Sequence, residues 1–68
     1  MENIAREILI LKRKSKLLTQ QELADKAGVA LRSLQGWEKN LNGIKLGNFF
    51  KICNALGLEI TISEKEEA

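Results

Sequence analysis

The sequence of 68 residues contains no histidine, no proline and no tyrosine, and its single cysteine is Cys53. One cysteine excludes an internal disulfide, and without histidine a zinc site would lack its usual nitrogen ligand. The absence of histidine also argues against an enzyme, because histidine is the commonest general acid–base catalyst in proteins. The one thiol lies on an apolar stripe, where a buried cysteine is unreactive. We therefore expect no catalytic site, no metal and no cofactor.

Long apolar runs are also missing. The longest, Ile8–Leu11, has four residues, whereas a membrane-spanning helix needs about 20. Charged residues within the first seven positions do not fit a secretory signal. A lone thiol is compatible with a reducing compartment. The sequence therefore predicts a cytoplasmic protein with no membrane partner.

Charge is unevenly distributed along a chain that has room for one small domain. Residues 1–58 carry ten basic and five acidic side chains, and residues 59–68 carry one basic and four acidic ones. A basic body favours a polyanionic partner, although the same charges also suit an ordinary solvated surface. A core of this size supplies only about 3–5 kcal/mol of net stability without help, which favours self-association or close helix packing.

The first helix is predicted from about Glu2 to Lys14, because Ile4, Ile8 and Leu11 recur at helical spacing. Basic residues crowd its end, namely Lys12, Arg13, Lys14 and Lys16. They either complement the negative end of the helix dipole or contact phosphate, and the sequence leaves both roles open.

Two short helices follow, joined by a tight turn. Thr19 to Glu22 has the form of a capping box, and Gly28 stands where a left-handed residue ends a helix. A third helix is predicted from about Ala30 to Lys39, with Leu34 and Trp37 facing inward and Glu38 pairing with a neighbouring element. Two helices in this arrangement form a helix-turn-helix.

The C-terminal part predicts one more helix and a strand. Apolar residues between Leu46 and Leu56 lie at helical spacing, and we expect Phe49, Phe50 and Cys53 in the core. After Gly57, residues 58–62 alternate strictly and are rich in β-branched side chains, which indicates a strand. Its partner must be a second copy, so the predicted dimerisation residues are Leu58, Ile60 and Ile62.

The sequence resembles the Xre/Cro-type helix-turn-helix family over about residues 4–57. The resemblance is carried by Thr19-Gln20-Gln21-Glu22-Leu23-Ala24, Ala27-Gly28-Val29, Leu34 and Trp37-Glu38. It implies an all-α, compact, lambda-repressor-like domain of four to five helices at residues 1–57. Residues 58–68 would then be a dimerisation strand and acidic tail. Residues 49–62 are similar to HipB-like antitoxins, in which a C-terminal strand pairs across the dimer; this resemblance implies a homodimer and a partner toxin.

The recognition chemistry is expected on the third helix and around it. The residues predicted to bind DNA are Gln20, Leu31, Arg32, Ser33, Gln35, Lys39 and Asn40. Arg32 can donate two hydrogen bonds to guanine, and Gln35 can make two with adenine. Leu31 can meet a thymine methyl group, and Ser33 a base edge or phosphate. Gln20 matches the family position that binds phosphate, and Lys39 and Asn40 can hold the other strand's backbone.

Three residues depart from the family pattern. Ala30 leaves the third helix without a side-chain cap, Leu31 stands where a polar residue is usual, and Gly36 lies inside the helix. The leading hypothesis is nonetheless a sequence-specific double-stranded DNA-binding regulator that acts as a repressor. The alternative is an antitoxin that neutralises a toxin and regulates its own operon. A third hypothesis, suggested by Leu31 and Gly36, is an oligomeric scaffold that has lost DNA binding.

Overall fold

A computed structural model describes residues 4–41 and 43–60 of the chain. Over this part, four helices account for the regular structure: α1 (Ile4–Ser15), α2 (Gln20–Ala27), α3 (Leu31–Lys39) and α4 (Leu46–Ala55). The predicted all-helical domain is thereby confirmed. No helix among the described residues combines the length and apolarity needed to cross a membrane.

The predicted C-terminal strand is not seen in the described part of the chain. Residues 58–60 belong to no regular element. The last two positions of the predicted strand, Thr61 and Ile62, lie outside the described residues. A strand that pairs across a dimer needs a second chain to complete its hydrogen bonds, so this strand stays a prediction.

Local signals at both ends of α2 are confirmed. The Thr19 hydroxyl accepts from the Glu22 amide at 3.0 Å, and the Glu22 carboxylate accepts from the Thr19 amide at 2.8 Å. Gly28 ends the helix in the left-handed region, with φ of 73°, and donates its N–H to the Ala24 carbonyl at 2.9 Å. By contrast, α3 begins after Ala30 without a side-chain cap, also as the sequence predicted.

The core lies where α2 packs against both α3 and α4, and α1 closes it from the α3 side. Its buried residues are Leu9, Leu23, Ala24, Leu34, Ile52, Cys53, Ala55 and Leu56. Trp37 is half-buried against this cluster, so its predicted inward position is confirmed together with that of Leu34.

Helix α1 turns an unexpected side inward. The apolar stripe that predicted the helix is exposed, at 49% for Ile4, 46% for Ile8 and 67% for Leu11, whereas Leu9 is 6% exposed. At about 100° per residue, Leu9 shares its side with Arg6 and Arg13, roughly opposite the stripe. The stripe therefore indicated the helix correctly but does not provide its buried face.

In α4, Phe49 packs partly against the core and Cys53 is 4% exposed, as predicted. The prediction that Phe50 belongs to the core is wrong, because this side chain is 36% exposed. Phe50 is one helical step, about 100°, beyond Phe49, which turns it away from the face formed with Ile52 and Leu56. Burial raises the pKa of the Cys53 thiol, which keeps it protonated and unreactive.

Candidate nucleic-acid interface

The N-terminal end of α2 and the exposed side of α3 border one cleft. Its lining residues are Gln20, Gln35, Glu38 and Lys39, and its volume is about 390 Å³. The Thr19 capping box fixes where α2 begins and so places Gln20 at the first position of that helix. The turn at Gly28 then sets α3 beside it. Two of the local sequence signals therefore position the polar side chains of the cleft.

A pair of largely buried charges supports the cleft from beneath. Arg13 donates through Nε to one carboxylate oxygen of Glu38 at 2.6 Å and through Nη2 to the other at 3.0 Å. The two side chains are 11% and 10% exposed. Arg13 also donates to the Leu18 carbonyl, and Arg6 donates to the backbone carbonyl of Glu38, both at 2.9 Å. The predicted pairing of Glu38 with a neighbouring element is confirmed.

Two glutamine amides extend this pair towards the surface. The Gln20 amide nitrogen donates to Glu38 Oε1 at 2.9 Å, and the Gln35 amide nitrogen lies 3.5 Å from Gln20 Oε1. We call Arg13, Glu38, Gln20 and Gln35 the Glu38 network. It runs from the buried side of α1 through α3 and α2 to the exposed surface of α3, so the predicted DNA-binding residues Gln20 and Gln35 are held next to each other.

The other predicted DNA-binding residues vary in exposure. Arg32, Gln35, Lys39 and Asn40 are exposed, and Ser33 is half-buried. Leu31 packs partly against the core, which commits part of its side chain to the domain itself. Gly36 is exposed, and a Cβ built there meets no described atom within 4 Å. The geometry thus leaves the charged and amide side chains of α3 accessible to a ligand.

The basic cluster at the end of α1 is divided by the fold. Arg13 is occupied by Glu38, whereas Lys12, Lys14 and Lys16 are exposed. The Lys16 ammonium lies 3.7 Å from where a Cβ of Gly57 would be, which places it beside the C-terminal end of α4. A cation there complements the helix dipole. The supporting role of Arg6 and Arg13 was not predicted from the sequence, although their spacing with Leu9 places all three on one side of α1.

A second concave surface lies between α1, α4 and residues 58–60. We call it the apolar groove; its volume is about 260 Å³, and its lining includes Ala5, Ile8, Phe49, Cys53, Leu58 and Ile60. Of the predicted dimerisation residues, Leu58 is half-buried, Ile60 is 39% exposed, and Ile62 lies outside the described residues. None of the groove's lining residues lines the cleft, so the two are separate surfaces.

The chain is similar to a known protein family and to a curated relative. A family model described as "Helix-turn-helix" matches residues 9–62. Among curated proteins, the "Antitoxin HipB" of Escherichia coli O6:H1, strain CFT073, is 36% identical over 50 residues. That match covers 74% of this chain and 53% of the relative, so the chain corresponds to about half of the relative's length.

Proposed function

The chain belongs to the helix-turn-helix family, and we propose from this that it is a sequence-specific double-stranded DNA-binding regulator that acts as a repressor. The observation that carries the proposal is the cleft between α2 and α3, where exposed Arg32, Gln35 and Lys39 accompany the fixed amide of Gln20. A helix with such an exposed polar side fits the major groove of B-DNA.

Each side chain has a distinct task in this proposal. Arg32 donates two hydrogen bonds to guanine, and Gln35 pairs with adenine through its amide. Ser33 contacts a base edge or phosphate, and Leu31 offers a thymine methyl group the part of its side chain that the core leaves free. Lys39, Asn40 and Gln20 hold the phosphate backbone and set the register of α3. A protein bound in this way represses by occupying a site that transcription requires.

The test is binding to genomic DNA fragments, measured by gel shift at two salt concentrations. Neutralising six to ten phosphates lowers affinity by about 10³–10⁵ between 50 and 200 mM salt. Arg32→Ala and Gln35→Ala should each reduce the preference for the selected site over random DNA. Lys51→Ala, which removes an exposed charge from α4, is the matched control and should keep that preference. Affinity that is flat with salt, or a wild-type protein without any preference, contradicts the proposal.

We further propose that the protein is a homodimer. Residues 58–62 would pair with the same segment of a second copy, and Leu58, Ile60 and Ile62 would cover the apolar groove. One self-complementary surface generates a two-fold dimer. The two α3 helices would then read half-sites about 34–36 Å apart, one turn of DNA.

Sedimentation of the full chain tests the dimer. Ile60→Glu should lower the association constant and weaken operator binding, because a charge would enter the paired apolar surface. Glu59→Gln, at the adjacent position, is the control and should leave association unchanged. A wild-type monomer at high micromolar concentration, or an Ile60→Glu protein that dimerises as wild type does, contradicts the model.

An antitoxin is the second candidate function, favoured by the HipB relative and by the exposed α1 stripe. Apolar side chains on the outside of a helix suit contact with another protein. The product of the adjacent reading frame should then arrest growth when it is expressed alone and be tolerated when this chain is co-expressed. Leu11→Ser should abolish this protection while DNA binding persists. Growth that is unaffected by the adjacent product, or protection that survives Leu11→Ser, argues against this role for the stripe.

A further inference from the structure

We propose that Glu38 is a positioning residue that orients the amides of Gln20 and Gln35, and that this orientation makes Gln35 select adenine over guanine. The inference rests on the proposed DNA binding and goes beyond it, because it assigns base preference to a residue that contacts no base. Glu38 would act at a distance through two hydrogen bonds.

The first step is the orientation of Gln20. A carboxylate paired with an arginine has no proton to donate, so it can face only a donor. Arg13 contacts both oxygens of Glu38, at 2.6 and 3.0 Å, and holds the carboxylate in one plane. The Gln20 group at 2.9 Å from Oε1 is therefore its nitrogen, and a flipped amide would set oxygen against oxygen. Glu38 thus fixes that the Gln20 nitrogen faces the carboxylate and that the Gln20 oxygen is left towards Gln35.

The second step passes this orientation to Gln35. With its nitrogen on Glu38, Gln20 offers its oxygen to the next amide along the cleft. The Gln35 nitrogen lies 3.5 Å from that oxygen, which is longer than a typical N–H···O hydrogen bond and makes this the weaker of the two contacts. The opposite orientation of Gln35 would bring two acceptors together. Gln35 therefore retains its oxygen and its second N–H for a ligand.

The oxygen and the second N–H of Gln35 match the major-groove edge of adenine but not that of guanine. In the major groove adenine presents the N7 acceptor beside the N6 donor, which an amide oxygen and one N–H satisfy together. Guanine presents two acceptors, N7 and O6, and would need both amide protons. One of those protons is directed at Gln20. The orientation of the Gln20 and Gln35 side-chain amides, set by Glu38, therefore favours adenine.

The experiment measures base preference with a randomised duplex library, from which wild-type protein first selects its site. Gln35→Ala identifies the base pair that Gln35 reads. Gln20→Met keeps the Arg13–Glu38 pair but removes the side-chain amide that joins Glu38 to Gln35. The adenine-to-guanine affinity ratio at that base pair should fall about threefold or more. Gln21→Met is the matched control, since Gln21 is exposed on α2 and bonds Asp25 instead.

Two further variants separate positioning from stability. Arg13→Gln and Glu38→Gln both break the buried ion pair and should both lower the melting temperature. Arg13→Gln leaves the carboxylate in place, so adenine preference should persist. Glu38→Gln replaces it with an amide that can face Gln20 either way, and the preference should fall. A Gln35→Ala protein with unchanged base preference, an unaffected ratio in Gln20→Met, or equal losses in Arg13→Gln and Glu38→Gln proteins that both remain folded by circular dichroism would overturn the inference. Failure of the wild-type protein to select any sequence would instead overturn the proposed function.

Discussion

The inner and outer sides of α1 differ in a way that reverses the usual relation between polarity and burial. The inner side packs Leu9 between Arg6 and Arg13, and both arginines bond to Glu38. The outer side exposes Ile4, Ile8 and Leu11. Both arginines donate to Glu38, Arg13 to its carboxylate and Arg6 through Nη1 to its backbone carbonyl, whereas Arg6 Nε has no partner among the described residues. Exposed apolar side chains suit a partner surface. A small domain can thus join one helix to another through an ion pair and leave the apolar stripe of the first helix for contacts outside.

The largest effect should come from breaking the inner side. Arg13→Ala leaves the Glu38 carboxylate, 10% exposed, without its cation. Removing one member of a buried pair costs about 3–5 kcal/mol, which is comparable with the whole net stability of so small a fold. We expect little cooperative unfolding to remain in urea or thermal scans. The double variant Arg13→Met with Glu38→Leu should recover much of the loss, because apolar replacement of both partners is often neutral. A stable Arg13→Ala protein would show that the pair contributes little.

The second-largest effect is expected from a leucine-to-alanine substitution on the inner side of α1, compared with the same substitution on the outer side. Leu9→Ala should lower the free energy of unfolding by about 2–5 kcal/mol, because this leucine is 6% exposed. Leu11→Ala, two residues away and 67% exposed, should change it by less than about 0.5 kcal/mol. Chemical denaturation at low protein concentration measures both without interference from self-association. Similar losses in the two variants would mean that the outer stripe is buried by the domain itself.

This contrast also explains what the sequence could predict. The ends of α2 were predictable, since Thr19, Glu22 and Gly28 act on neighbours within a few residues. The buried side of α1 was not predictable in this way, because Arg13 and Glu38 are 25 residues apart in the chain. Periodicity identifies a helix, but it cannot tell an apolar stripe that faces the core from one that faces a partner.

In the candidate site too, the sequence indicates individual residues, whereas the contacts between them are known only from the fold. Residue type and family position indicated Arg32, Gln35 and Gln20 as DNA-binding residues, and the fold leaves the first two exposed. The contact of Gln20 with Glu38 and the approach of Gln35 to Gln20 depend on how α2 and α3 cross. Phe50 shows the limit for apolar residues, since it lies about 100° beyond Phe49 and outside the face that packs on the core, which residue type alone does not reveal.

A smaller effect is expected at Gly36. Replacing an exposed helical glycine with alanine stabilises a helix by up to about 1 kcal/mol, and the new methyl group would meet no described atom within 4 Å. In a domain of this size, 1 kcal/mol corresponds to about 4–8 °C in melting temperature. Operator affinity should nevertheless fall, because the methyl group would stand between α3 and the groove. Gly47→Ala on α4 is the matched control, with equal space and no place in the cleft. Unchanged affinity in Gly36→Ala would place this side of α3 away from DNA.

The smallest expected effect is the contribution of the Cys53 thiol to the pH dependence of folding stability. Burial raises the pKa of Cys53 above its usual value near 9.0. Below the unfolded pKa of about 8.5 the thiol is mostly protonated in both folded and unfolded chains, so its contribution to stability is present. Above it the unfolded chain releases the proton first, and stability is lost as pH rises towards the folded pKa. With an unfolded pKa of about 8.5, the loss at pH 9 is at most about 0.8 kcal/mol. Urea unfolding of the wild type and Cys53→Ala between pH 7 and 9.5 isolates this contribution, since other groups titrate in both proteins. Parallel pH profiles would mean that the thiol is open to solvent, and Cys53 would then belong to the exposed surface of the groove and not to the core beneath it.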